Sequence, residues 1–244
     1  LAWGARGPRF KSGHPDLSRQ GATASLLCRF SRSWVGRYTY SFSAPGVSAP
    51  VANRQSLTAL NRILKLALGQ LSPKLGDVSA NLAKHLDWID QARARGAQLM
   101  VFPELSLTGY YLMDLVHDVA IEARAGDPVF DRLLAASADI DVVFGFIERD
   151  ARQRLYYASA YLSRGAVLHV HRKLYPVTYG MFDDGRFVGA GSSARAFDAP
   201  AGRAGIMICE DGWHMSVPYL LWQDGADLLL WTNASPGRGL GEPG

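Results

Sequence analysis

The sequence predicts an α/β fold. Three observations carry this. A strand, a helix and a second strand follow one another within about 40 residues, from residue 63 to residue 102. Further along, short apolar runs alternate with Gly- and Pro-containing breaks, as buried strands do. Apolar residues make up 48% of the chain, enough for a large core, and no apolar run is long enough to span a membrane.

The elements are legible in order. Leu64, Leu66 and Leu68 alternate with Lys65 and Ala67, which reads as a strand. Ser72-Pro73 and Gly76 break it, and Asp77 is a candidate helix N-cap. Val78, Leu82, Leu86 and Ile89 then recur at helical spacing, with Lys84, Asp87, Asp90 and Arg93 opposite, until Gly96. Leu99 to Phe102 is a buried strand closed by Pro103. Helices are expected over Leu112–Ala123 and Pro128–Ala138, and strands over Asp141–Glu148, Leu155–Ser163 and Ala166–Arg172. One short strand is expected within the turn-rich stretch from Ser192 to Arg203. Ile206-Met207-Ile208 is a buried strand ending on Cys209. A helix starts near Pro218 and runs to about Asp224, and Leu228–Trp231 is the last strand. Trp213, Trp222 and Trp231 are expected in the core.

The overall charge of +4 hides two regions. Residues 1–63 hold nine Lys or Arg against one acid, Asp16, a net +8; the remainder holds 17 bases against 21 acids, a net −4. The high pI is therefore no argument for a nucleic-acid partner. Residues 1–62 lack a helical or strand period and read as a basic, unstructured or artefactual leader, in preference to a targeting peptide or a nucleic-acid arm. The chain opens on Leu1 and its first methionine is Met100, which reads as a fragment or an upstream read-through. Residues 63–244 form the expected globular domain. Cys28 and Cys209 are too far apart in sequence for a metal motif, and so few cysteines suit a reducing compartment, hence the cytoplasm. The six histidines show no zinc-like spacing; His169 and His171 alternate on one strand and read as structural. No phosphate-binding glycine loop is present.

Three stretches carry candidate chemistry, each at the carboxyl end of a predicted strand, the edge where ligands bind in open α/β sheets. In Phe102-Pro103-Glu104-Leu105, Glu104 follows a buried strand, where desolvation raises a carboxyl toward the range of a general base. In His171-Arg172-Lys173-Leu174, Lys173 can be a solvated cap or a fixed cation for an oxyanion. In Ile208-Cys209-Glu210-Asp211-Gly212, Cys209 can be a small core residue or a nucleophile. A thiol needs help to ionise at neutral pH, and a carboxylate and an ammonium are the groups that supply it.

In this order, the three motifs resemble the nitrilase, or carbon–nitrogen hydrolase, superfamily, over roughly Ile63 to Leu240. Leu107-Thr108-Gly109-Tyr110, the Tyr179–Phe187 stretch and Asn233-Ala234-Ser235-Pro236 resemble the branch that includes the glutamine-hydrolysing domain of NAD synthetases. Gly237-Arg238-Gly239 is closer to stand-alone amidohydrolases of that branch. The resemblance implies a four-layer α-β-β-α sandwich. It implies that Cys209 attacks an amide carbonyl to form a thioester, that Glu104 moves the protons, and that Lys173 and the backbone N–H of Glu210 hold the oxyanion. Tyr179, Phe182, Asp184 and Ser235 are implied substrate-binding residues. Asp184 stands where the family often has glutamate; it keeps the charge on a side chain one methylene shorter, which leaves its reach to Lys173 open. The chain stops soon after the last strand, so a C-terminal truncation is expected.

The implied activity is hydrolysis of a non-peptide carboxamide C–N bond, with no cofactor and no metal. The implied partners are a small-molecule amide and, in the full-length form, further copies of the same chain, with no nucleic acid and no membrane. Three alternatives stay open: a glutaminase fragment of a glutamine-dependent NAD synthetase, an N-acyltransferase using the same acyl-enzyme, and a truncated non-catalytic binding domain.

Overall fold

A computed structural model describes residues 64–235. The basic leader, Cys28 and Gly237-Arg238-Gly239 lie outside the described residues. The first sheet has five strands: β1 (Leu66–Leu68), β2 (Leu99–Val101), β3 (Asp141–Arg149), β4 (Leu155–Ser163) and β5 (Ala166–Arg172), paired in that order. β1, β2 and β3 run parallel, whereas β4 and β5 each run antiparallel to the strand before. The second sheet holds β6 (Phe197–Ala199), β7 (Gly202–Ile208) and β8 (Leu228–Thr232); β6 is antiparallel to β7, and β7 is parallel to β8.

Alternation of side chains builds the layers. Met100, Phe144, Phe146, Ala158 and Ala160 of the first sheet pack with Phe102 against Leu82 and Ile89 of helix α1 (Val78–Ala94) and Phe130 and Leu133 of α2 (Pro128–Ala136). Their neighbours Leu99, Val101, Val143 and Tyr161 face the second sheet and meet Ala204, Ile206, Ile208 and Leu230. Met207, on the far face of β7, packs on Val217 and Leu221 of helix α4 (Ser216–Gln223). The order is helix, sheet, sheet, helix, the expected four-layer sandwich. Each fully buried Leu, Ile or Phe in these seams contributes roughly 1.5–3 kcal/mol.

Local signals behave as their chemistry demands. Asp77 caps α1 by accepting the Ala80 N–H at 3.0 Å. His85 of α1 is buried; its Nδ1 donates to the Asn81 carbonyl and its Nε2 accepts from the Ser106 hydroxyl, tying the helix to the loop after Glu104.

Two expectations are corrected. The helix expected over Leu112–Ala123 is a single 3-10 turn, Met113–His117. Leu112, Val116 and Val119 are buried at helical spacing, but the chain then spends its backbone groups on the sheet. The Ile121 N–H donates to the Ile147 carbonyl and the Arg149 N–H to the Ile121 carbonyl, both at 2.9 Å, which forms a parallel bridge. The tryptophans expected in the core are exposed, Trp213 by 70%, Trp222 by 63% and Trp231 by 42%. α4 buries only its Val217 and Leu221 side, and Trp222 is one residue, about 100° of helix, away from Leu221.

Candidate active site

The carboxyl ends of β2, β5, β7 and β8 meet. Glu104 lies three residues beyond β2 and is buried. The backbone carrying it lies against β3 at Gly145, where an added Cβ would overlap the Leu105 amide nitrogen and press on Glu104. Leu105 has φ +48°, a left-handed conformation unusual for a branched side chain. The turn thus aims Glu104 between the sheets. Its Oε1 accepts from Lys173 Nζ at 2.9 Å and its Oε2 from the Ala234 N–H, just past β8, at 3.1 Å.

Lys173 follows β5 directly and is 1% exposed. Its ammonium bonds Glu104 and also Asp184 Oδ2 at 3.3 Å, and it stands 5.6 and 5.5 Å from the ring centroids of Tyr110 and Tyr157. Burial pulls its pKa down, but the charges of Glu104 and Asp184 outweigh burial and the pKa is raised. Lys173 is a fixed cation at neutral pH. Burial raises the pKa of Glu104, Lys173 works against that rise, and Asp184 reinforces it.

Asp184 opens the short helix α3 (Asp184–Phe187) and is buried. Its carboxylate accepts from Lys173, from the Val177 N–H at 2.9 Å and from the Tyr110 hydroxyl at 3.0 Å. The shorter acid therefore reaches the lysine, and its hydrogen bonds face protein groups.

Cys209 directly follows β7 and begins a 3-10 turn, Cys209–Trp213, with φ +45°. Such a conformation costs about 1–3 kcal/mol and persists where surrounding bonds over-determine it. Asp211 supplies four of these bonds. Its Oδ1 accepts the N–H groups of Leu174 and Tyr175 at 2.9 and 3.0 Å, and its Oδ2 accepts the Ile208 N–H at 3.1 Å and His171 Nε2 at 2.9 Å. One buried carboxylate thus clamps the cysteine turn to the segment just after Lys173. The thiol pKa is pushed up to about 12, first by burial, then by the charge and hydrogen bond of Glu104, with Lys173 opposing. At neutral pH the group is a thiol next to a base, not a standing thiolate.

The other expected residues sit around this centre. Tyr179 is exposed and its hydroxyl donates to Glu210 Oε2 at 2.9 Å, while His214 Nε2 donates to Glu210 Oε1 at 3.2 Å. Phe182 meets Tyr110 edge-on at 5.7 Å and lines a small cavity of about 50 Å³ with Tyr110, Tyr157 and Asp184. Ser235 is exposed, one residue beyond the Ala234 N–H that binds Glu104. Sequence reasoning missed the roles of Asp211, Tyr110 and the Ala234 N–H. Asp211 carried a signal: an acid three residues after a strand end, placed to accept turn N–H groups. Nothing local marks Ala234, since a backbone N–H has no sequence signature. Among the described residues, no three His, Cys, Asp or Glu side chains are grouped so as to hold a metal ion.

The family profile described as carbon–nitrogen hydrolase matches residues 65–243. The glutamine-dependent NAD(+) synthetase of Acinetobacter baylyi is 31% identical over 172 residues, 70% of this chain and 31% of that protein. The enzyme of the same description from Thermotoga maritima is 33% identical over 177 residues, 71% of this chain and 30% of that protein. The chain spans about a third of the length of these curated relatives. The structure of the glutamine-dependent NAD+ synthetase of Acinetobacter baumannii in complex with ADP superposes with a TM-score of 0.63 at 32% identity, covering 71% of this chain and 32% of that one. Saccharomyces cerevisiae Nit3, described as a member of branch 10 of the nitrilase superfamily, superposes with a TM-score of 0.62 at 21% identity, over 70% of this chain and 64% of that one, a likeness of fold.

Proposed function

The chain belongs to the carbon–nitrogen hydrolase family, and from that premise we propose that it hydrolyses the C–N bond of a small non-peptide carboxamide through a Cys209 thioester. One observation carries the reading. A single buried carboxylate, Glu104, bonds the Lys173 ammonium and also lies against the Cys209 thiol. A thiol held neutral needs a base at the moment of attack, and a carboxyl raised by burial can both take and return a proton.

Glu104 takes the thiol proton as Sγ bonds the amide carbon, and the carbonyl π pair moves onto oxygen. Lys173 and the Glu210 N–H hold that oxyanion. Collapse breaks the C–N bond, Glu104 protonates the departing nitrogen, and ammonia or an amine leaves a thioester on Cys209. Glu104 then deprotonates water, which attacks the thioester; the acid departs and the sulfur regains its proton. Asp184 and Tyr110 hold Lys173 in place. Tyr179, Phe182 and Ser235 are the side chains this reading assigns to substrate contact. A free catalytic thiol suits a reducing compartment, and the cytoplasm is the location the reading assigns. Among the described residues no helix is long and apolar enough to cross a membrane.

A second reading, a glutaminase domain within a longer NAD synthetase, is favoured by the 31–33% identity to such enzymes. The carboxylate of Glu210, adjacent to Cys209 and unused by the proton transfers, supplies a counter-charge for the ammonium of an amino-acid amide. Ammonia release from a panel including glutamine and simple amides decides between the readings. Cys209→Ala abolishes turnover while keeping the fold, and a thioester appears on Cys209 by intact mass. Glu210→Gln selectively weakens glutamine if the second reading holds. Full activity of Cys209→Ala ends both, and an intact chain that neither turns over nor acylates is a binding domain.

A further inference from the structure

Trp231 does not behave like the core residue its sequence suggests. It sits on the outer face of β8, 42% exposed, and its indole lies against the cysteine turn. Nε1–H donates to the carbonyl oxygen of Cys209 at 2.8 Å. An added Cβ on Gly212 would overlap the indole ring, so the glycine makes room for this contact. Trp213 meets the ring edge-on at 6.0 Å and 77°. The indole is thus seated from three residues of one turn, and its single donor is spent on the peptide that follows the nucleophile.

That peptide joins Cys209 to Glu210. A trans peptide is planar, and its N–H points opposite to its C=O. A donor that grips the Cys209 oxygen therefore fixes the direction of the Glu210 N–H on the other edge. As the second residue of a 3-10 turn, Glu210 has no carbonyl three residues back within the turn to accept that N–H. A hydrogen bond to the carbonyl also polarises the amide and strengthens its N–H as a donor. The positive φ of Cys209 is a strained conformation that such a hold helps to keep.

We propose that Trp231 is a positioning residue for the oxyanion site, its indole N–H orienting and polarising the Cys209–Glu210 peptide so that the Glu210 N–H meets the substrate oxygen. The proposal rests on the thioester reading above. Its test separates oxyanion binding from thiol reactivity. Butyraldehyde reacts with a Cys209 thiol by forming an Sγ–C bond; the C=O π pair moves onto oxygen, Glu104 takes the thiol proton, and the resulting oxyanion occupies the site. 2-Iodoethanol, which has no carbonyl, alkylates the same sulfur with loss of iodide and of the thiol proton, and develops no oxyanion.

The experiment follows 2-iodoethanol labelling of the Cys209 peptide by mass spectrometry in the full chain, with and without butyraldehyde. Trp231→Phe should need about tenfold more aldehyde for half protection, while its labelling rate without aldehyde stays within twofold of wild type. Replacing Trp231 by 3-benzothienylalanine, which swaps the N–H for sulfur and keeps the ring shape, should do the same if the Phe variant folds poorly. Equal protection in wild type and both variants overturns the proposal and leaves the thioester reading standing. A parallel fall in protection and in bare labelling assigns Trp231 to packing alone and also overturns it. Absence of aldehyde protection in the wild-type chain removes the oxyanion site itself, and the thioester reading falls with it.

Discussion

Asp184 stands 3.3 Å from Lys173, which also bonds Glu104 at 2.9 Å, and the negative charge of Asp184 acts on Glu104 to raise its pKa. Two carboxylates flank one ammonium, so the buried cluster carries a net negative charge when all three groups are ionised. That surplus, with desolvation, is what keeps Glu104 basic.

Asp184→Asn should therefore weaken the base. Removing the negative charge favours ionisation of Glu104, so its pKa falls. The acid limb of the kcat/KM profile should move to lower pH, and kcat should drop about tenfold as Lys173 loses a partner. Asp184→Glu should restore the limb more fully than Asn. An unmoved limb in Asp184→Asn would detach Asp184 from the chemistry.

The thiol provides a pH test of its own. With a pKa pushed up to about 12, only about one sulfur in ten thousand is ionised at pH 8. Labelling of Cys209 by iodoacetamide should climb about tenfold per pH unit from pH 7 to 10 with no plateau. Glu104 is one cause of that elevation, so Glu104→Gln should lower the midpoint of the labelling profile. Amide turnover in the same variant should fall at least about 100-fold for want of a base. A wild-type plateau below pH 8 would mean a standing thiolate and remove the need for Glu104 as base.

Gly145→Ala probes how the fold delivers Glu104. The new methyl overlaps the Leu105 amide, and neither strand β3 nor the turn can yield without moving the carboxylate. Overpacking of this kind costs about 1–3 kcal/mol, read as a lower melting temperature. Turnover should fall further than stability explains, since a displacement of about 1 Å can cost about 100-fold. Unchanged kinetics with only a lower melting point would show that the turn adapts without disturbing Glu104.

Much of the site was legible because its chemistry sits at strand ends. Glu104, Lys173 and Cys209 each follow an apolar run or a period-two strand, and such runs are local patterns. The strands at Ala166–Arg172 and Leu228–Trp231 could be read for the same reason. The region from Leu112 to Ala123 could not. Its apolar spacing fits a helix, and only the partner strand, through the bridge from Ile121 to Glu148, takes its hydrogen bonds away. The tryptophans failed similarly: hydrophobicity marks what can be buried, and packing partners decide what is.

The linear chain by itself determined the layers' raw materials, the order of the three motifs and the carboxylate, ammonium and thiol they carry, because periodicity and residue chemistry are local properties. Only the folded molecule decided that Asp184 reaches Lys173, that Asp211 clamps the cysteine turn, and that Trp231 holds the carbonyl of Cys209. Those are contacts between residues 11 to 37 positions apart in sequence, set by how two sheets and their connecting turns pack in space.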